Sequence, residues 1–374
     1  MACNGGGNND EAKTASEEGD ESITLNTGVF PANFADMVAS LPQGSHGPIF
    51  PSLRQYRGFW LPTGFVLNLP TLHAAFEKRP ADILLASFPK SGTTWLKALA
   101  FAAARRSVHS PFDGVRHPLL SRISHDCVRF IDTLRFLDDD DDEHTDTTAA
   151  PRLLGTHLPY SLLPKRARAA DGGGCRIVYI SRDPKDTLVS LWHFGPAVTK
   201  SADGEGSTQR QPPSAAAAAA LEFEEAFELY CQGQCGLGPQ WEHVREYWEA
   251  SKRSPGTVLF LRYEEMLQDP AGNLKKLAEF MGCPFTAAEE DAGVVRAILE
   301  LCSLDTQRNL SVNRTGAFKP YARGRSVMVE NRFFFRKGAV GDWRNHMTPE
   351  MAARLDGVVE EALKGSGFTF GIAK

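Results

Sequence analysis

The chain has 374 residues, 42% of them hydrophobic, which suffices for a sizeable core in one large domain or two smaller ones. Its 41 Lys and Arg against 46 Asp and Glu leave a formal net charge of −5, which argues against a nucleic-acid or anionic-membrane partner. No apolar run approaches the ~18 residues of a membrane span, so a soluble enzyme or binding protein is expected.

The N-terminal "MACNGGGNNDEAKTASEEGDES" is glycine, asparagine and acid with little to bury, and residues 1–50 are expected to be a disordered extension. It has no apolar core of a secretory leader and is too acidic for a transit peptide, so a cytoplasmic location is expected. Order is expected from "YRGFWLP", Tyr56 to Pro62, with one folded domain over 51–374. Pro80 introduces the apolar run "ADILLASF", Ala81 to Phe88, which suits a buried parallel strand. "TTWLKALAFAAARR" follows with Trp95, Leu96, Leu99, Ala102 and Ala103 at helical spacing. The acidic "FLDDDDDEHTDTTAAP" reads as a solvated insertion, and "RLLGTHLP" as a second strand ending at His157. "CRIVYISRD", Cys175 to Asp183, is a third strand, with Asp183 placed to cap the helix "KDTLVSLWHF" and Pro184 at its first position.

An alanine-rich, low-complexity loop over about 200–220 comes next. Two amphipathic helices, "LEFEEAFELYCQG" and "WEHVREYWEASK", lead to a fourth strand, "GTVLFLRYEEM". "DPAGNLKKLAEFMG" is a helix with a clear start and a glycine stop. "RFFFRKGAVGDWRNHM" is irregular, aromatic and basic, and a last helix spans 348–363. Strands alternating with helices predict an α/β domain around a central parallel sheet flanked by helices. In such sheets ligands sit beyond the carboxyl ends of the strands, so the loops after Phe88, Gly155 and Ser181 should share one face. Seven scattered cysteines without a CxxC pair read as free thiols of a reducing compartment.

The loop "FPKSGTTW" between the first strand and its helix carries the chemistry. Backbone N–H groups and the helix dipole favour an anion there. Gly92 permits close approach, Thr93 and Thr94 add hydroxyls, and Lys90 adds a cation. A kinase-type loop is longer and ends in Gly-Lys-Ser/Thr, whose hydroxyl holds magnesium. Here the lysine comes early and the loop is short. A metal-dependent kinase and a nucleotide-binding protein without turnover are the rival readings; the short loop with its early lysine speaks against the first, and the presence of both Lys90 and His157 against the second.

The segments "FPKSGTTW", "GTHLPYSLLP", "YISRDPKDTLVSLWHF" and "RKGAVGDW" together resemble the cytosolic sulfotransferase family, its plant members most of all, from about Tyr56 to the C-terminus. The resemblance implies a P-loop NTPase-like sulfotransferase fold. It also implies transfer of a sulfonate group from 3′-phosphoadenosine 5′-phosphosulfate (PAPS) to a hydroxyl of a small acceptor, without metal. His157 would be the general base, and Lys90 would stabilise the leaving oxygen. Lys90, Ser91, Gly92, Thr93 and Thr94 would hold the 5′ end of the nucleotide. Arg182, Ser190, Arg336, Lys337 and Gly338 would hold its 3′-phosphate, with Trp95, Tyr263 and Ser303 near the adenosine. Many animal members carry a lysine two residues before the histidine, where this chain has Gly155. Flavonoids, brassinosteroids and hydroxyjasmonate are acceptor classes within the family. The candidate acceptor wall is Tyr56, Phe59, Trp60, Phe194, Phe223, Phe227 and Tyr230. The animal dimer motif after "GDW" is not matched, so a monomer is expected.

Overall fold

The computed structural model describes residues 1, 30–47, 50–79, 81–137, 151–168, 173–195, 221–320 and 328–371. The acidic run and the alanine-rich stretch lie almost wholly outside the described residues.

A three-stranded antiparallel sheet comes first: β1 (Gln43–His46), β2 (Phe50–Tyr56) and β3 (Phe59–Pro62), preceded by α1 (Phe34–Ser40) and followed by α2 (Thr63–Ala75). Thus α1 and β1 lie inside the segment expected to lack order. Phe34 and Val38 bury one face of α1, and Phe34 meets Tyr56 edge-on, which supplies the burial that composition alone did not reveal. The β2–β3 turn has positive φ at both central residues, Arg57 (51°) and Gly58 (81°), the geometry that matches the twist of a tight hairpin.

The central sheet contains β4 (Ile83–Ser87), β5 (Arg129–Phe130), β6 (Leu153–Thr156), β7 (Arg176–Ser181) and β8 (Val258–Arg262). Its order is β5-β6-β4-β7-β8 and every pairing is parallel. Side chains alternate across it. Leu84, Ala86, Leu154, Ile177 and Tyr179 enter one core, and Ile83, Leu85, Leu153, Val178 and Ile180 enter the other. Helices cover both faces, which explains why these strands read as unbroken apolar runs. One core receives α3 (Thr93–Arg105) through Leu96, Leu99 and Ala103. The other receives α4 (Pro184–Phe194) through Leu188 and α5 (Gln240–Arg253) through Val244 and Tyr247. Asp183 caps α4 by accepting the Lys185 N–H at 2.8 Å, with Pro184 at the first helical position, as expected. The six described cysteines are free thiols.

The candidate active site

The carboxyl ends of β4, β6, β7 and β8 open onto one cavity of about 760 Å³. Lys90, Gly92, Thr93, Thr94, Trp95, His157, Arg182, Ser190, Tyr263, Ser303, Arg336, Lys337 and Gly338 all line it. Ser91 does not. Its N–H closes a turn on the Phe88 carbonyl at 3.2 Å, and its hydroxyl is buried without a partner.

The loop after β4 is shaped by two residues in the left-handed region, Lys90 (φ 66°) and Gly92 (φ 102°). Only glycine fits the second. A Cβ there would lie 2.8 Å from the Tyr263 ring. Gly92 is also the N-cap of α3 and offers no side-chain cap, so the first-turn N–H groups lack an intrahelical acceptor. The threonine hydroxyls are already engaged. Thr93 Oγ1 pairs with Ser87 Oγ at 2.6 Å, and Thr94 Oγ1 with His125 Nε2 at 3.2 Å.

His157 is fixed from three sides. Its Nδ1 lies 2.8 Å from the Ser87 carbonyl, which can only accept, so Nδ1 carries the proton and Nε2 keeps the lone pair. Its backbone N–H donates to Asp132 at 2.6 Å. Its carbonyl accepts from His243 Nε2 at 2.9 Å, and His243 Nδ1 pairs in turn with the Tyr179 hydroxyl at 2.9 Å. Burial pushes the imidazole down to about 3, helped by the charges of Lys97, His243 and Lys90 and opposed by the bond to Ser87. His157 is therefore a neutral acceptor at physiological pH.

Cations line the same cavity. Lys90 Nζ lies 3.8 Å from the centre of the Phe194 ring and makes no ion pair with a described residue. Burial, then Arg182 and Arg336, push Lys90 down to about 7. Arg182 donates to the carbonyls of Lys90 at 3.2 Å and Ala339 at 3.0 Å, while its Nε is buried without a partner. Arg336 and Lys337 each reach Asp342 at 2.5 Å, and the Arg336 Nε is also unpartnered. Burial would raise the Asp342 carboxyl, but the bonds from Lys337, Arg336 and Asn345 outweigh it and hold it well below the usual carboxylate range. Asp186 holds this segment on α4 by accepting the N–H groups of Gly341 at 2.6 Å and Trp343 at 3.1 Å.

Trp95 and Tyr263 meet edge-on at 5.9 Å on the cavity wall. Ser303 lines the cavity while also capping Leu304–Asn309 through the Thr306 N–H.

The aromatic wall differs from expectation. Tyr56, Phe59, Phe223, Phe227 and Tyr230 are buried in the core, and of the proposed set Phe194 lines the cavity. Phe50, Phe65, Phe130, Phe318, Phe334 and Phe335 supply the rest. Asp132 was also missed. It lies in the turn after β5, and its two oxygens accept from Thr156 Oγ1 at 2.5 Å and the His157 N–H. An isolated "IDT" in the sequence carries no signal of this role.

Residues 80–367 match the family model described as a sulfotransferase domain. Cytosolic sulfotransferase 5 of Arabidopsis thaliana is 40% identical over 316 residues, covering 84% of this chain and 90% of that protein. Flavonol 4′-sulfotransferase of Flaveria chlorifolia is 38% identical over 339 residues, covering 90% and 96%. The crystal structure of mouse sulfotransferase SULT7A1 complexed with PAP aligns with a TM-score of 0.56 at 26% identity, over 84% of this chain and 95% of that one.

Proposed function

The chain belongs to the sulfotransferase family, and from that premise we propose that it moves a sulfonate group from PAPS to a hydroxyl of a small acceptor, with His157 as general base. The observation that carries this reading is the imidazole itself. Its Nδ1–H is tied to Ser87, and its Nε2 lone pair stands in the same cavity as a cluster of under-paired cations.

The residues present fit a nucleotide with two anionic groups, one at each end of its ribose. Two buried arginine Nε atoms lack partners, Lys90 has an aromatic ring beside it rather than a carboxylate, and a helix begins there uncapped. Bound PAPS supplies an activated sulfonate on its 5′-phosphate. Lys90, Gly92, Thr93 and Thr94 would hold that end, with Ser91 shaping the turn. Arg182, Ser190, Arg336, Lys337 and Gly338 would hold the 3′-phosphate. Trp95, Tyr263 and Ser303 would border the adenosine. His157 Nε2 takes the proton of the acceptor hydroxyl, a role worth about 10²–10⁴ in rate. The Lys90 ammonium stabilises the negative charge that grows on the leaving oxygen, which favours the transition state over the ground state. Lysines and arginines supply this compensation, and the reaction proceeds without a metal ion.

The acceptor is a small hydroxylated metabolite of the flavonoid, brassinosteroid, hydroxyjasmonate or a similar kind, and an aromatic wall suits a flat or fused-ring one among them. The aromatic end of the cavity and the flavonol relative support this. We place the enzyme in the cytosol as a monomer; relatives that include cytosolic sulfotransferases 5 and 6 of Arabidopsis thaliana support the location. The test is a labelled-sulfonate assay over such acceptors with EDTA present, beside a parallel assay with ATP and magnesium. Sulfated product from PAPS is expected. Phosphorylated product from ATP, or tight binding of adenosine 3′,5′-bisphosphate with no acceptor ever sulfated, would overturn it.

A further inference from the structure

Gly155 lies in β6 two residues before His157, and the space beside it is filled. A Cβ at Gly155 would stand 2.6 Å from both Cε and Nζ of Lys97. Lys97 projects from α3 and is completely buried. A buried ammonium is costly unless it finds partners. Its Nζ donates to the Val128 carbonyl at 3.0 Å and lies 3.0 Å from the centre of the Phe130 ring. The same ring packs on the His157 imidazole, with centroids 4.8 Å apart and planes tilted by 34°. Two residues beyond Phe130 is Asp132, also buried, whose oxygens accept from Thr156 and from the His157 backbone. Burial pushes the Asp132 carboxyl up to about 6, while the bonds from Thr156 and the His157 backbone and the charge of Lys97 hold it back. Burial pushes the Lys97 amine well below its ordinary range, and the nearby Asp132 and Asp126 carboxylates oppose this. Lys97 and Asp132 thus flank His157, one behind its ring through Phe130 and one at its backbone.

We propose that Lys97 is a positioning residue for His157: its ammonium, seated in the Gly155 gap, balances Asp132 and holds Phe130 against the imidazole, so that Nε2 stays oriented and unprotonated. This rests on the reading of His157 as the base. The charged and titratable groups that act on His157 are Lys97 from α3, His243 from α5, Lys90 from the loop after β4, His125 from the helix Ser124–Cys127, and Asp132 from the turn after β5. Among these, Lys97 combines a positive charge with contact to the ring that His157 packs on.

Lys97→Met keeps the length and apolar stem of the side chain and removes the charge. Adenosine 3′,5′-bisphosphate should bind within about twofold of wild type, while kcat falls about tenfold or more because the imidazole loses its fixed orientation. The acid limb of the kcat profile should move up by at least about half a pH unit, because loss of a nearby cation favours the imidazolium. The His157 ring-proton resonance, titrated downward from pH 7, should move the same way without any need for turnover. Gly155→Ala should also lower kcat by displacing the ammonium. In a Lys97→Leu background, whose shorter side chain vacates the gap, Gly155→Ala should cost little, a non-additivity that marks contact. An unmoved His157 midpoint in Lys97→Met with kcat within twofold, or additive costs in the cycle, would overturn the proposal. If wild type sulfates no acceptor, the reading of the active site fails on that result, while the resonance titration and a melting-temperature cycle decide on Lys97 separately.

Discussion

Half of the cationic end, Lys90 and Arg182, follows closely on the sheet strands and the other half, Arg336 and Lys337, comes from the C-terminal segment, whereas the aromatic end is assembled almost wholly from separate stretches of chain. His157, Arg182 and Tyr263 are the first residues after β6, β7 and β8, and Lys90 comes three after β4. Phe50, Phe65, Phe194, Phe318 and Phe334 come instead from β2, α2, the end of α4, a two-residue strand and a short turn of helix. At the first end Lys90 and Arg182 inherit their geometry from a parallel sheet buried on both faces, and Asp342 and Asp186 fix Arg336 and Lys337 beside them. The second depends on packing between elements distant in sequence, so its shape can change while the first stays fixed. Substitutions at the two ends should therefore separate into effects on nucleotide binding and effects on acceptor binding, with His157 and Lys90 acting on the chemical step between them.

The largest losses should fall on that step. His157→Ala is expected to lower kcat by about 10²–10⁴, and Lys90→Met by about 10²–10³. At the cationic end, Arg182→Lys removes the planar fork and the unpartnered Nε. Equilibrium titration should show nucleotide affinity falling about 10–100-fold, with acceptor KM nearly unchanged. At the aromatic end, Phe50→Ala should raise acceptor KM roughly 3–30-fold and leave nucleotide affinity within about twofold. An equal loss at both ends from either variant would break the comparison.

The remaining effect is on pH. Lys90 in the free protein loses its proton as pH rises through about 7, whereas the nucleotide binds the ammonium form. Affinity for adenosine 3′,5′-bisphosphate should be full below that pH and decline above it, by up to about tenfold per unit. Calorimetry in buffers of different ionisation heat should show proton uptake on binding at pH 8. Affinity that is flat from pH 6 to 9 would show that Lys90 is already charged in the empty site.

The contrast between the two ends also explains what could be read from the sequence. The strand-end residues sit in contiguous strings in which an apolar run, a glycine turn and a helix start occur together, so "FPKSGTTW" and "SRDPKD" were legible. The aromatic wall was not. Tyr56 and Phe227 are as aromatic as Phe334, and whether a ring fills the core or lines a cavity is decided by elements that pack on it from elsewhere. Phe334 and Phe335 lie in "RFFFRK", where the clustering of rings among cations was visible and their orientation was not. Asp132 and Lys97 escaped for a related reason. Lys97 looks like an ordinary solvent-facing helix lysine until Gly155, 58 positions away, is seen to make room for it. The helix α1 was missed because one buried face of two residues leaves little trace in composition.

The central claim is that His157 acts on the acceptor proton while the cationic end binds the nucleotide independently of it. The most direct test measures kcat for a verified acceptor and the affinity for adenosine 3′,5′-bisphosphate on one preparation of His157→Ala. With His157 as the base, kcat should fall by at least about 10² while affinity stays unchanged within about twofold. Near-normal turnover, or a loss of nucleotide affinity as large as the loss of kcat, would contradict it.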